Sequence, residues 1–230
     1  MSKTGWIVFI VIILGVMGGL IAWTRISNPS IDVSGVDVNS VIQPNDQNGS
    51  IGDHTLGKEG GNVILIEYGD FQCPSCSATS SNVRTLMDEY GDRATFVFRN
   101  FPLTTIHPNA MAAAAAAEAA GLQGKYWEMN HLLYENQDSW SGLDGSRRTE
   151  AFRAYAEQLS LNLTQFDNDI KSSNVSQKIS FDQAIAKKKE VQATPTFYLN
   201  GTQLSVEAAN GLVQGDLTAV KAEIDKLVTK

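Results

Sequence analysis

A third cysteine is missing from this chain. Cys73 and Cys76 are its only two in 230 residues, and a disulfide between them would enclose two residues, too short a loop to restrain an unfolded chain appreciably. A structural staple is therefore a poor reading of the pair. Histidine is almost as scarce: His54, His107 and His131 do not fall at paired ligand spacing, whereas tetrahedral zinc needs two ligands beyond two cysteines. Excess positive charge is absent too, the formal net charge being −7. Scattered lysines and arginines on an acidic chain argue against nucleic acid, whose binding rests on clustered cations set against phosphates. The one basic cluster, Lys187-Lys188-Lys189, reads as the solvated last turn of a helix, where the dipole favours cations.

Charge of either sign is missing between Thr4 and Thr24. The residues from Trp6 to Trp23 are mostly Ile, Val, Leu, Gly and Phe, enough as a helix to cross a hydrocarbon core of about 30 Å. Tryptophan at both ends suits the two membrane interfaces. A transmembrane signal-anchor helix is expected over 5–24, after a cytoplasmic tail at 1–4; a cleaved secretory signal is the competing reading, but its apolar stretch is ordinarily shorter. Residues 25–52 are rich in Ser, Asn, Asp, Gly and Pro without periodicity and read as a flexible tether. The remaining 53–230 are ample for one cored domain. The expected location is a single-pass position in the cell membrane, the domain on the extracytoplasmic side, where disulfides persist.

What the chain does have is Cys73-Pro74-Ser75-Cys76 in a telling context. An apolar run, Val63-Ile64-Leu65-Ile66, leads into it as a strand, and Val83, Leu86, Met87 and Tyr90 mark one face of a following helix. Pro74 is tolerated in a first helical turn, where its missing N–H has no partner to lose. Backbone N–H groups and the helix dipole then converge on Cys73 and favour its thiolate. Cys76, one turn further in, is expected to be the buried resolving thiol.

Ala94 to Arg99 alternates as a second strand, giving a βαβ unit with the cysteines at the carboxyl end of its first strand. From about 107 to 190 the chain reads as four or five helices, with Ala112 to Ala120 dominated by the best helix former. Strand returns at Thr196 to Leu199, and Asn200-Gly201 predicts a two-residue hairpin into Thr202 to Val206. A last helix follows Asp216, with Leu217, Val220, Ile224 and Leu227 inward. The order is βαβ, helices, then ββα.

The stretches Glu67 to Cys76, Val97 to Leu103 with His107-Pro108, and Ala193-Thr194-Pro195-Thr196 together resemble the DsbA-like thiol:disulfide oxidoreductases of the thioredoxin-fold family, in particular their membrane-anchored bacterial members. The resemblance implies an α/β thioredoxin fold with an inserted helical domain, acting on exported cysteine-containing proteins. It implies a cis Thr194–Pro195 bond facing the cysteines, with Pro74, Ser75, Thr194 and Pro195 as substrate-binding residues. It also puts an acidic residue at Glu67, near the buried cysteine. Since a carboxylate inside a strand is costly unless paired or protonated, Glu67 is expected to relay protons for Cys76 and to pair with Arg99. No cofactor beyond a redox-active Cys73–Cys76 disulfide is expected, and a quinone-linked membrane oxidase is the expected reoxidising partner. A reductase or isomerase would share the same site, and a dithiol metal-binding module is the remaining alternative.

Overall fold

The computed structural model of the protein describes residues 3–27, 31–58 and 60–228. The chain divides into two compact units, Met1–Asp32 and Val33–Lys230. The first contains α1 (Lys3–Ser27), a helix of 25 residues. Its large apolar side chains from Phe9 to Leu14 are exposed. Among the described residues no helix is long and apolar enough to cross a membrane; the helix expected over 5–24 includes side chains that lie outside the description.

The second unit is built on a five-stranded sheet in the order β1-β3-β2-β4-β5. Strand β1 (His54–Gly57) runs antiparallel to β3 (Ala94–Asn100), which is parallel to β2 (Val63–Gly69). The Val- and Ile-rich β2 is buried along nearly its whole length, as a central strand covered on both faces requires. Between β2 and β3 lies α2 (Pro74–Tyr90), which buries Val83, Leu86, Met87 and Tyr90 as the apolar spacing predicts. The far side of the sheet closes with β4 (Thr196–Leu199) and β5 (Thr202–Gln203). Asn200 and Gly201 both take positive φ at this hairpin, the conformation an Asn-Gly turn is suited to.

Six helices stand between β3 and β4: α3 (Ala110–Gly121), α4 (Tyr126–Glu135), α5 (Gln137–Trp140), α6 (Gly145–Gln158), α7 (Leu163–Asp169) and α8 (Ser173–Lys188). Alanine makes α3 thin enough to sit inside this group, with Ala113, Ala116, Ala117, Ala119 and Ala120 fully buried. Side-chain caps start three of the later helices, Asp144 before α6, Asn162 before α7 and Ser172 before α8. The chain ends in α9 (Val206–Gln214) and α10 (Thr218–Val228).

Several expectations need correction. The flexible tether over 25–52 does not extend past Asp32: Val33, Val38, Ile42 and Ile51 are buried, and Asn45 and Asn48 cap each other around a short 3-10 helix at Asp46–Asn48. Polar composition hid this packing because the segment's backbone is held by side chains from elsewhere. Lys188 Nζ donates to the carbonyls of Val33, Ser34 and Val36, and Lys189 Nζ to Asn39 and Gly201. Two lysines read as solvated are thus clasps on this segment. The strand expected over Thr202 to Val206 stops at Gln203, because Ser205 accepts from Ala208 N–H and starts α9. Strand β1, four residues of mixed polarity, had no visible signal.

Candidate active site

The carboxyl end of β2 delivers the chain into the turn 70–73, and α2 leaves from it with Cys73 as its N-cap and Pro74 in the first turn. Asp70 fixes the turn. Its Oδ1 accepts from Gln72 N–H at 2.7 Å, and its Oδ2 from Leu103 N–H at 2.8 Å and lies 2.7 Å from His107 Nδ1. Gln137 on α5 donates to the carbonyls of Phe71 and Cys73 at 2.8 and 3.0 Å. Gly69 is required just before the turn, since a Cβ there would lie 2.3 Å from the Phe98 ring. The turn is therefore clamped from the loop after β3 and from the helical insertion.

Both cysteines are free thiols, and their surroundings push them in opposite directions. Cys73 is brought down to about 5. The largest cause is a hydrogen bond from the Cys76 thiol; burial opposes it, and the Thr194 hydroxyl and the amides of Cys76 and Ser75 add to it. The two amides are the helix N-terminus acting on a thiolate, as the spacing implies, and they are the smallest of these causes. Cys76, 1% exposed, is pushed well up, first by burial and then by its hydrogen bond to Cys73 and the nearby Glu67. Asp70 N–H reaches its sulfur at 3.5 Å. A favoured thiolate and a disfavoured one are thus told apart by three residues of sequence.

Thr194–Pro195 is a cis peptide, and the Thr194 carbonyl lies 3.4 Å from Cys73 Sγ. The Thr194 hydroxyl is buried with no protein partner among the described residues. Its one role in the site is the donation that helps hold down the Cys73 thiolate. Pro74 and Ser75 are exposed, and Thr194 and Pro195 are half-buried. These four residues flank the sulfurs on the accessible side.

Glu67 is where the expectation divides. Its side chain is buried, and burial first, then the charge of Cys73, raises its carboxyl to about 8. The pairing with Arg99 does not occur. In the parallel register Glu67 lies opposite Phe98 and Tyr68 opposite Arg99, and successive side chains on a strand point to opposite faces. Arg99 pairs instead with Asp53, Nη2 to Oδ2 at 2.7 Å, and also donates to Tyr68 Oη and the carbonyls of Val38 and Ser40. Glu67 Oε1 has no protein partner among the described residues.

Residues that sequence reasoning did not single out complete the frame. Asp70 and His107 lie within stretches that carried the resemblance, so a signal was present. Gln137 and Tyr134, which buries its ring against Phe71 at 5.0 Å between centroids, come from the insertion and carry no local sign. The three histidines face separate acids, His54 with Glu118, His107 with Asp70 and His131 with Glu135. Among the described residues no group of three or more His, Cys, Asp or Glu side chains is arranged to hold a metal ion.

Comparison with known proteins gives the same picture. A family model described as thioredoxin matches residues 49–214. Among solved structures, α-DsbA1 of Wolbachia pipientis is 25% identical with a TM-score of 0.63, the match covering 77% of this chain and 91% of that one. BdbD of Bacillus subtilis, in its oxidised form, is 21% identical with a TM-score of 0.63 over 83% of this chain and 98% of that one, a likeness of fold. Among curated relatives, a protein named Na(+)/H(+) antiporter NhaA 1 from Mycolicibacterium vanbaalenii is 39% identical over 151 residues, 65% of this chain. The chain spans only 23% of that relative's length.

Proposed function

The chain belongs to the thioredoxin family, with the fold of its DsbA-like thiol–disulfide oxidoreductases, and from that premise we propose that it introduces disulfides into exported proteins while tethered to a membrane. The observation that carries this reading is the opposed perturbation of Cys73 and Cys76 beside Pro195. A thiolate held down to about 5 is a good leaving group, and stabilising it favours the reduced protein, which makes the disulfide the stronger oxidant.

In the oxidising direction the Cys73–Cys76 disulfide is the resting state. A substrate thiolate attacks Cys73 Sγ, the Cys73–Cys76 bond breaks, and a mixed disulfide forms. Cys76 leaves as a thiolate in a site that disfavours its charge. The protonated Glu67 carboxyl gives it a proton and is recharged from solvent. A second substrate thiolate then attacks the substrate sulfur and expels Cys73 as its stable thiolate. Two substrate thiols have become one disulfide, and the protein holds the two electrons as a dithiol. A quinone-linked membrane oxidase accepts those electrons and restores the disulfide. Substrate chain lies along Pro74, Ser75, Thr194 and Pro195, where backbone recognition makes few demands on sequence.

The reading of a membrane tether rests on the sequence alone, in which Trp6 to Trp23 is apolar and uncharged and as a helix would match a hydrocarbon core of about 30 Å. The match of 151 residues of this chain inside a protein named as an ion antiporter also favours a place beside a membrane. Retention of the full chain in a carbonate-washed membrane fraction tests the anchor. A redox titration of the full chain tests the direction. With Ser75 rather than an imidazole between the cysteines, a moderate oxidant is expected, between about −120 mV for DsbA and about −270 mV for thioredoxin. A value at or below thioredoxin's would make the enzyme a reductase.

A further inference from the structure

On the Glu67 face of the sheet, a cavity of about 240 Å³ lies between β2, β3, α2 and α4. Helix α4 presents Trp127, Glu128, Asn130, His131 and Tyr134 to it, and α2 presents Ser80, Val83 and Arg84. Both sets contain the i, i+3, i+4 spacing of one helix face. The walls are Leu56, Val83, Phe96, Phe98 and Trp127. The Phe96 and Trp127 rings lie 5.6 Å apart between centroids.

The polar groups in this apolar setting are unusual. Glu67 Oε1, Asn130 Nδ2 and Tyr134 Oη are buried, and none has a protein partner among the described residues. Glu67 is 3%, Tyr134 5% and Asn130 7% exposed. A buried polar atom left without a hydrogen bond is costly, by more than a made bond contributes. Three such atoms on residues lining one cavity ask for a common partner. Arg84, by contrast, rests on the His131 ring, and His131 on Glu135.

The chemistry of the three groups defines that partner. Asn130 donates, Tyr134 donates or accepts, and the Glu67 oxygen accepts. With its carboxyl raised to about 8, Glu67 is neutral at pH 7, and the charged side chains of the lining, Arg84 and Glu128, are of opposite sign, so the lining offers no net charge to balance an ion. A charged guest would lose its hydration without recompense. A purely apolar guest would leave all three atoms orphaned. A cavity of 150 Å³ suffices for benzene, so this one has room for a ring and a substituent.

We propose that the cavity binds a small neutral molecule of the phenol type, one aromatic ring carrying a hydroxyl. The ring packs among Phe96, Phe98 and Trp127. The hydroxyl donates to Glu67 Oε1 and accepts from both Asn130 Nδ2 and Tyr134 Oη. This goes beyond the redox reading, which does not need it; one consequence rests on that reading, namely that the guest covers the carboxyl serving Cys76 and slows exchange.

Fluorine NMR with para-fluorophenol and the full chain in detergent tests the site. Saturable binding is expected, and Val83→Trp, which fills the cavity, should abolish it in the same detergent. Tyr134→Phe and Asn130→Leu should each weaken binding by about fivefold, the value of one hydrogen bond. These two variants answer the question even if Val83→Trp fails to fold. Para-fluorotoluene should bind at least about fivefold more weakly than the phenol for the same reason. Equal binding of the two probes, or signals the same in Val83→Trp as in the wild type, overturns the proposal. Slower thiol exchange on adding para-fluorophenol to the wild type is the expected readout of the coupling. Binding without slowing overturns that coupling and leaves both the site and the disulfide chemistry standing.

Discussion

Arg99 on β3 and Glu67 on β2 sit on adjacent parallel strands, and both are buried. Arg99 belongs to a cluster in which charges answer one another. Asp53 lies 2.7 Å from Arg99 and 3.2 Å from Lys178, Lys178 lies 2.6 Å from Asp182, and Asn100 bridges Asp182 to Glu118, which meets His54 at 2.8 Å. Burial pushes Asp53 up, but the charges of Arg99 and Lys178 outweigh it and leave the carboxyl at about 2. Glu67 meets the same burial with no cation to offset it and ends at about 8. A carboxyl with cations beside it holds structure; one without them holds a proton near neutral pH and is available for transfer. The Asp53 cluster also joins three parts of the chain, the 38–53 segment, the sheet and α8, whereas Glu67 serves a single site.

The contrast makes its sharpest claim about the thiols themselves. Cys73→Ser should reduce thiol–disulfide exchange to background while leaving chemical denaturation of the reduced protein nearly unchanged; residual turnover with a model dithiol would show that Cys73 is not the attacked sulfur. Asp53→Asn should do the reverse. It leaves Arg99 and Lys178 buried with less counter-charge and should cost about 3–5 kcal/mol, read by urea denaturation, with exchange by the folded fraction unaltered. In the wild type the part of the stability that comes from the depressed Asp53 carboxyl is present above the unfolded carboxylate value of 3.8 and is lost as pH falls through about 2.

Glu67→Gln should be opposite in sign. A carboxyl whose folded value is raised keeps its proton when the unfolded chain has released it, so its contribution to stability falls as pH rises from about 4.5 to about 8. Glutamine removes that slope, and the variant should gain up to ~4 kcal/mol over the wild type at the upper end of the window. Resolution by Cys76 should slow in the same variant. Parallel wild-type and variant stability curves, or unchanged exchange rates across this window, would remove Glu67 from the proton path. The smallest effect is expected at Thr194→Val, where loss of one hydroxyl donor should raise the Cys73 value by less than about one unit, followed by thiolate ultraviolet absorbance.

Much of the fold was legible because β2, α2, β3 and the Asn200-Gly201 hairpin follow local rules. Apolar runs, a proline in the first turn and a turn dipeptide do not depend on distant residues. The misread parts depend on them entirely. Residues 33–52 look like tether because their order comes from Arg99, Lys188 and Lys189, remote in sequence. The expected Glu67–Arg99 pair was chemically reasonable, but strand register placed the two side chains on opposite faces. Within the site, Cys73, Cys76 and Pro195 were found from sequence, while Gln137 and Tyr134 were not, since a helix in the insertion carries no mark of what it will pack against.

By itself the sequence determined which sulfur is favoured as a thiolate: two cysteines at one helix start, with Pro74 between them, set which one gains from the N-terminal dipole, because that field is local. Only the tertiary structure decided the protonation of Glu67 and the partners of Arg99. Those depend on how many opposite charges lie within a few ångströms once the chain has closed, and Coulomb energies at that range are set by position rather than by order along the chain.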